Sequence, residues 1–345
     1  MTLLDWAILA LRVLVPVVAV LTFVPLLTWV ERRGAGLMQD RPGPNRVGPF
    51  GLIQPIADAV KLLFKEDIVV HDADRLLYIL APSIALFSAM MTFAVIPYGP
   101  ELSIGGRTLR LVGADVSIGL LYFFAMTSLS IYGIVLAGWA SNNKFSLMGG
   151  IRASAQIISY ELSMTTAAAA VLLVAGSLQL TDVVAMQQGQ WFGFLPKWSV
   201  FPQLLGFIVF FTASFAETNR TPFDLPEAEA ELVAGYHTEY SSMKFAMFYM
   251  AEYANIIVSS ALTVTLYLGG WSLPFYQPRG VPGVLISIAV FVLKTWVLVW
   301  VFVWVRWTVP RFRYDQLMRI GWKVALPAAL VNLLWVAFLV QAKVL

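Results

Sequence analysis

Long apolar stretches, separated by polar loops, run through the whole of this 345-residue sequence and restrict the folds open to it. Eight of them occur, at about residues 6–30, 76–97, 114–137, 156–178, 200–217, 245–269, 283–305 and 324–341. A helix needs about 20 apolar residues to cross the hydrocarbon core of a bilayer, which is about 30 Å thick. The sequence therefore predicts an all-α, polytopic membrane protein with eight transmembrane helices, of which the fifth and the eighth are short.

The composition agrees with a membrane location. Hydrophobic residues make up 59% of the chain and charged residues only 12%. A soluble domain carries about 25% charged residues, so this chain has about half the charge that a water-exposed surface needs. No soluble appendage interrupts the pattern. Residues 1–345 are therefore predicted to form a single integral membrane domain, with functional loops at 31–75, 218–244 and 306–323.

The rarity of metal-binding residue types excludes several kinds of redox centre. There is no Cys, which excludes disulfides, thiolate zinc sites and cysteine-ligated iron–sulfur clusters. The two histidines, His71 and His237, lie in loops and are too few for buried bis-histidine haems. We therefore expect no cofactor that is bound covalently or by metal ligation, and no metal site.

The distribution of Lys and Arg among the loops predicts the orientation of the chain. The loops after the first, third, fifth and seventh stretches hold 16 of the 23 basic residues, and the opposite side holds five. Basic residues are enriched in cytoplasmic loops. Those four loops are therefore predicted to face the cytoplasm, or the matrix in an organelle, and both termini to face the other side.

An amphipathic segment lies in the first of these loops. Over residues 49–66, apolar residues recur at helical spacing, whereas Asp58, Lys61 and Lys65 take the other face. The segment is too short to span a bilayer and too amphipathic to lie in lipid, so it predicts a helix in the plane of the membrane interface. Residues 41–51, which are rich in Gly and Pro, are not expected to form a regular helix.

Three glutamates inside the apolar stretches are expected to lie at a similar depth. Glu161 lies about five residues into the fourth stretch, Glu217 ends the fifth, and Glu252 lies about seven residues into the sixth. At 1.5 Å per helical residue, their depths differ by no more than about 10 Å. Ionisable residues in membrane spans are costly and are usually functional. An acidic cluster in the cytoplasmic half of the bundle is therefore predicted.

The loop after the fifth stretch adds further acids. Residues 217–239 contain six acidic residues against a single basic one, Arg220, and the acids include Glu227, Glu229 and Glu231. Crowded carboxylates in a low-dielectric site share protons and titrate together, as in a proton relay. The alternative is that these acids only pair with basic residues, but one basic residue in the segment cannot pair with all six acids. Residues 224–227, DLPE, are also typical of a helix start.

Basic residues near the seventh stretch allow two interpretations. Lys294 lies in the middle of that stretch, where it either takes part in function or pairs with a buried acid. Arg306, Arg311 and Arg313 follow the stretch and either form a site or only reflect the positive-inside rule.

Three segments together resemble one known family. They are ERRGAGLMQDRPGPNRVGPFGLIQPIADAVKLLFKED at 31–67, ETNRTPFDLPEAEAELVAGYHTEYSSMKFAMFYMAEYANI at 217–256, and KTWVLVWVFVWVRWTVPRFRYDQLM at 294–318. They resemble subunit 1, also called the H subunit, of proton-pumping NADH:quinone oxidoreductase, respiratory complex I.

The resemblance implies a membrane subunit of this translocase, which forms much of the chamber for its substrate, a quinone, with ubiquinone expected. It implies that NAD and iron–sulfur clusters are held only by partner subunits. Those partners are the peripheral-arm subunits of the quinone site, including the one with the terminal cluster, and small and antiporter-like membrane subunits. Lipid is also expected as a partner, but nucleic acid is not. The expected location is the bacterial inner membrane, with both termini periplasmic; the mitochondrial inner membrane is the alternative.

The resemblance also implies roles for individual residues. Quinone binding is implied for Glu31, Arg32, Asp58, Arg306, Arg311 and Arg313. A proton path is implied for Glu161, Glu217, Glu227, Glu229, Glu231, Glu252 and Lys294. Two other classes of function remain open. A stand-alone transporter would explain the intramembrane acids but not the Pro- and Gly-rich loop, and a structural anchor would need the acids only for assembly.

Overall fold

A computed structural model describes residues 3–104, 107–191, 193–227, 229–276, 278 and 280–343. The first helix, α1 (Leu3–Met38), is longer than the apolar stretch that predicted it. It continues beyond residue 30, and no proline interrupts the chain between that residue and the Pro- and Gly-rich segment at 42–44. Glu31 and Arg32 are therefore helical residues and do not lie in a loop.

The predicted amphipathic helix is present. A 3-10 turn (Pro49–Gly51) leads into α2 (Gln54–Phe64), and no regular helix forms between Met38 and that turn. Gly51 has φ 76°, and a Cβ there would lie 2.2 Å from the carbonyl oxygen of Pro44, so only glycine fits this turn. Four apolar side chains of α2 are exposed, those of Ile56, Val60, Leu63 and Phe64, and Phe64 is 87% exposed. Its position in the membrane interface stays a prediction.

The next three helices form an antiparallel group. They are α3 (Arg75–Thr92), α4 (Gly119–Ala140) and α5 (Lys144–Ala175). Asp74 caps α3 by accepting hydrogen bonds from the backbone N–H groups of Leu76 and Leu77. Asn143 caps α5 in the same way, so α5 begins 12 residues before the predicted start at 156.

The following segment contains shorter helices, α6 (Leu180–Met186), α7 (Leu204–Glu217) and α8 (Glu229–Leu232). The 14 residues of α7 extend about 21 Å, which is less than the thickness of the bilayer core. The predicted helix start at 224–227 is wrong. Residues 225–227 form turns, because the carboxylate of Asp224 binds Arg311 rather than capping a helix.

The remaining helices complete the bundle. They are α9 (Ser242–Tyr267), α10 (Gly280–Thr308), α11 (Tyr314–Ile320) and α12 (Leu326–Gln341), with a π-helical segment (Gly321–Ala325) between the last two. Two small antiparallel hairpins pair β1 (Leu102–Ile104) with β2 (Arg107–Leu109) and β3 (Gln190–Trp191) with β4 (Leu195–Pro196).

The architecture confirms an all-α, polytopic membrane protein. Within the described residues, seven helices are long and apolar enough to cross a membrane, and α7 is a shorter apolar helix. The count of eight spans stays a prediction. Central in the bundle lies α9, with fully buried residues that include Ala254, Ala261 and Leu262. Its buried threonines, such as Thr263, donate hydrogen bonds to carbonyls of the preceding helical turn.

The alternating helices give the bundle two ends. The segments 39–74, 141–143, 218–241 and 309–313 meet at one end, which we call the network face. The segments 96–118, 176–203 and 268–279 meet at the other, which we call the hairpin face. The loop at 218–241 is held against α5 by Gln156, whose Nε2 donates to the carbonyl oxygens of Ala216 (2.8 Å) and Phe223 (2.7 Å).

Candidate site: a buried ion network at the network face

Glu31 of α1 is the first member of a buried ion network. Its side chain is 6% exposed, and it accepts a hydrogen bond of 2.7 Å from the hydroxyl of Tyr253 on α9. It also pairs with Arg306 at the end of α10. Glu31 therefore links three helices at the network face.

Arg220, in the loop after α7, is the second member. Its Nε lies 2.5 Å from Oε1 of Glu252, and its Nη1 lies 3.7 Å from Oε1 of Glu31. Its guanidinium lies 4.4 Å from the ring centroid of Tyr253. Burial opposes the charge, but the carboxylates of Glu252 and Glu31 keep the pKa of Arg220 well above its usual value.

The network brings two arginines into contact with two glutamates. Burying an ion costs several kcal/mol, which is recovered only when partners and hydrogen bonds are well placed. Arg220 contacts both Glu31 and Glu252, so it joins the Arg306–Glu31 pair to the acid on α9. A change of charge at one end of this chain of contacts alters the electrostatic energy at the other end.

A small cavity connects the network to a second acid. Glu252 and Glu217 line the same cavity of about 20 Å³, together with Ser130, Tyr236 and Asn255. A volume of this size holds one water molecule when polar groups line it. Among the described residues, no hydrogen-bond partner reaches Oε2 of Glu217, which is buried. The cavity therefore has room for one water molecule beside the unpartnered oxygen of Glu217.

Glu161 lies beyond Glu217. It accepts a hydrogen bond from the hydroxyl of Ser128 on α4, and it is close enough to Glu217 for their charges to interact. The structure thus brings together the three intramembrane glutamates that were predicted to lie at one depth. Glu161 is only partly buried and lies near the surface of the bundle.

The loop acids separate into two groups. Asp224 is buried beside Arg311, and burial together with the charge of Glu227 raises its pKa to about 7, although Arg311 opposes the rise. Its protonation therefore changes near neutral pH. Glu227 also interacts electrostatically with Arg220 and with the acid on α9.

Glu231 is different, because it is half exposed and pairs with Arg152 of α5 at 2.6 Å. Arginines from outside the segment 217–239 therefore neutralise part of its excess negative charge. A count of charges within the segment could not include them. Glu229 belongs to α8, but its side chain lies outside the described part of the structure.

The remaining basic residues of the sequence-based site lie at the surface of the network face. Arg32 pairs with Asp58 of α2, and Asp58 also accepts a hydrogen bond of 3.1 Å from Gln54. Arg32 follows Glu31 in α1, so this exposed pair borders the buried network. Arg313 is exposed at the start of α11.

Lys294 lies apart from all these residues. Its Nζ donates to the carbonyl oxygens of Leu268 (2.7 Å), Gly270 (3.1 Å) and Ser272 (2.7 Å), and it lies 4.4 Å from the ring centroid of Trp198. These contacts place it toward the hairpin face, and the 12 residues to Arg306 correspond to about 18 Å along α10. Three carbonyls use all three donors of an ammonium group, so the geometry favours a cap on the end of α9.

Replacing Lys294 with Met is expected to destabilise the protein by about 2–3 kcal/mol, because three carbonyls lose a charged donor. Thermal inactivation in membranes measures this, with the exposed Lys323→Met as the matched control. A thermal stability equal to that of the wild type would contradict the capping role.

Sequence reasoning missed two contributions to the network. Tyr253 was not singled out, although an aromatic hydroxyl directly after an intramembrane acid is a usable signal. Arg220 was treated only as a pairing partner, and its contact with two glutamates from different helices depends on the fold. Among the described residues, no group of three or more His, Asp or Glu could hold a metal ion.

The fold and the network define a class of protein: a polytopic helical membrane protein with intramembrane acids and a buried arginine–glutamate network at one end. Comparison with known proteins gives the family. The model of the NADH dehydrogenase family matches residues 11–337, so the chain belongs to that family, as its three characteristic segments indicated.

Named relatives agree with this assignment, and all three are H subunits of bacterial NADH-quinone oxidoreductases. The chain is 48% identical to H subunit 1 of Cytophaga hutchinsonii over 310 residues, or 89% of each chain. It is also 48% identical to H subunit 1 of Geobacter metallireducens over 339 residues, or 97% of this chain and 98% of the relative. H subunit 2 of Koribacter versatilis is 46% identical over 348 residues, or 96% and 97%.

Proposed function

We propose that this chain is a membrane subunit of a bacterial NADH:quinone oxidoreductase, forms much of its quinone chamber, and couples quinone reduction to proton translocation. The relatives, which are named as H subunits of NADH-quinone oxidoreductase, support the assignment to the complex. One observation carries the coupling role: Arg220 joins Glu31 and Arg306 to Glu252, which shares a cavity with Glu217.

The partly exposed side of the network, which borders α2, has contacts that suit a quinone. The exposed apolar residues of α2 offer contacts to an isoprenoid tail, and the Arg32–Asp58 pair offers a polar contact to a headgroup. Arg306 and Arg311 are each partly exposed, at 26% and 32% of their side-chain surface, so they can face the chamber. Quinone reduction to quinol takes up two electrons and two protons, which leaves the quinol neutral. When nearby residues give up those protons, the residues become more negative, and this changes the charge at the end of the network.

The coupling step follows from that change of charge. When the charge near Arg306 and Glu31 changes, the attraction of Arg220 to Glu31 changes relative to its attraction to Glu252. Glu252 and Glu217 line one small cavity, so the proposed route from the network to Glu217 runs through that cavity. From Glu217 the effect reaches Glu161, near the surface of the bundle.

The partners follow from the same arrangement. A carboxylate such as Glu161, only partly buried at membrane depth, is costly against lipid, so we infer that a small membrane subunit covers it. NAD and the iron–sulfur clusters belong to other subunits, and the peripheral arm binds the network face. The proposed location is the inner membrane, with both termini periplasmic because the basic loops face the cytoplasm.

Replacing Asp58 with Asn tests the quinone site. We expect NADH oxidation by a short-chain quinone to fall by about tenfold or more, whereas oxidation by an artificial acceptor that bypasses the quinone stays unchanged. The physical reason is that the amide no longer balances the charge of Arg32 at the entrance. Membranes with verified assembly of the complex are compared in both reactions.

The matched control is Asp72→Asn, which removes an exposed carboxylate of the same loop that pairs with the exposed His71. It is expected to leave both reactions unchanged. Equal activity of wild type and Asp58→Asn with the quinone would contradict the proposed site and favour a purely structural anchor.

A further inference from the structure

The residues that begin α9 hold the far end of α2. The hydroxyl of Ser241 donates to the carbonyl oxygen of Glu66 (3.2 Å) and accepts from the backbone N–H of Ile68 (2.9 Å). The hydroxyl of Ser242 donates to the carbonyl oxygen of Leu62 (3.0 Å). Two consecutive serines thus fasten three backbone groups around the end of α2.

Ser242 supplies a cap that α2 lacks. The carbonyl of Leu62 belongs to the last turn of α2, where helix carbonyls have no partner within the helix. Ser242 is buried and has φ 55°, a left-handed conformation that is uncommon for a residue other than glycine. The backbone at the start of α9 therefore adopts an unfavourable conformation at the point where it contacts α2.

Lys244 adds an ion pair to the same joint. Its Nζ lies 2.8 Å and 3.0 Å from the two carboxylate oxygens of Asp67, and 5.1 Å from the ring centroid of Tyr78. The hydroxyl of Tyr78 donates to the carbonyl oxygen of Glu239 (2.6 Å), and its ring stacks on Tyr240. The side chain of Lys244 is 14% exposed and that of Asp67 is 50% exposed, so the pair is only partly shielded from solvent.

We propose that Ser241, Ser242 and Lys244 form a strap, a set of positioning residues that makes α2 and the first turns of α9 move as one unit. The proposal rests on the proposed function, because the strap connects the helix at the quinone site with the helix that carries an acid of the proton path. Asp58 lies one helical turn before Leu62, and Glu252 lies eight residues, or about 12 Å, after Lys244 along α9. A shift of α2 when quinone enters is thereby transmitted to the helix that carries Glu252.

Removing the ion pair between Lys244 and Asp67 tests the role of the strap. Lys244→Met is expected to raise the KM for a short-chain quinone about threefold to fivefold, the size expected for loss of one partly exposed ion pair. The kcat and the reaction with an artificial acceptor are expected to stay within about twofold, since no reacting group changes. The reversed pair, Asp67→Lys with Lys244→Asp, is expected to restore most of the KM. Lys144→Met, at the exposed start of α5, is the matched control, because Lys144 makes no ion pair within the described residues.

Linking positions 67 and 244 by a covalent bond gives the opposite test. The chain has no native Cys, so Asp67→Cys with Lys244→Cys introduces its only thiols. Before cross-linking, this variant is expected to show the raised KM. A short bifunctional thiol reagent is expected to return the KM to within about twofold of the wild type, with reagent-treated wild-type complex as the control. Loss of turnover on cross-linking would overturn the proposal, because it would mean that α2 and α9 must separate. A wild-type KM before cross-linking would also overturn it.

A probe of motion separates the strap from the proposed function. A spin label at Lys61→Cys reports the mobility of α2 without any quinone chemistry, and Lys244→Met is expected to increase that mobility. An unchanged mobility overturns the strap whatever the kinetics show. If instead Asp58→Asn has no quinone defect, the proposed function fails, and the label and the cross-link still decide whether the two helices are joined.

Discussion

Replacing Glu217 with Gln is expected to lower quinone-linked proton translocation about tenfold or more while the complex still assembles. The amide has nearly the same size as the carboxyl group but cannot release or take up a proton. Glu217 shares a cavity with Glu252, and one of its oxygens is buried without a hydrogen-bond partner among the described residues. The amide therefore fits the space but removes the proton-carrying group on which the proposed relay depends.

The measurement is the rate of proton uptake into inverted membrane vesicles, divided by the rate of NADH oxidation. Glu101→Gln is the matched control, because Glu101 is exposed on the hairpin face and pairs with Arg110. Glu231→Gln is expected to have a much smaller effect than Glu217→Gln, since Glu231 forms an exposed pair worth about 0–1 kcal/mol. Full proton translocation by Glu217→Gln in an assembled complex would rule out the relay role.

Replacing Arg220 with Met is expected to destabilise the folded protein by about 3–5 kcal/mol, the cost of leaving buried charges without a partner. The change removes the cation that contacts both Glu31 and Glu252. Thermal inactivation of the complex and the amount of the chain retained in membranes measure the loss. Arg319→Met, which removes an exposed arginine near the same face, is expected to cost less than about 0.5 kcal/mol.

A second substitution separates lost charge balance from lost packing. In the double variant Arg220→Met with Glu252→Gln, one unpaired carboxylate is removed, so at least part of the stability is expected to return. If the double variant is no more stable than Arg220→Met alone, packing of the arginine against Tyr253 is the main contribution, and the network is less important than its contacts suggest.

Hydropathy located the spans well but not their ends. The apolar stretches identified α1 and α5, yet both helices continue into polar sequence, by eight residues after 30 and by 12 residues before 156. Helix formation depends on backbone hydrogen bonds and on the absence of breakers, whereas hydropathy reports only the part that suits lipid. Glu161 is consequently 17 residues from the start of its helix, although it still lies near Glu217.

Local patterns predicted one helix correctly and failed to predict several long-range contacts. The amphipathic period of 49–66 predicted α2 and the polar position of Asp58. The same kind of local reading failed at 224–227, because Asp224 binds an arginine 87 positions away instead of capping a helix. Lys294 was grouped with the acids by its depth in a span and by family resemblance, whereas its contacts are the backbone carbonyls that follow α9.

The sequence by itself determined the membrane fold, the amphipathic helix and the side of the bundle on which acids and bases collect. These properties depend on the number, spacing and polarity of residues along one helix, so they can be read from the chain. Only the tertiary structure decided which charges meet, because Glu31 and Arg306 are 275 positions apart and join helices that are brought together by packing. In a low-dielectric interior the energy of such a pair changes steeply over a few ångströms, and no pattern in the sequence specifies that distance.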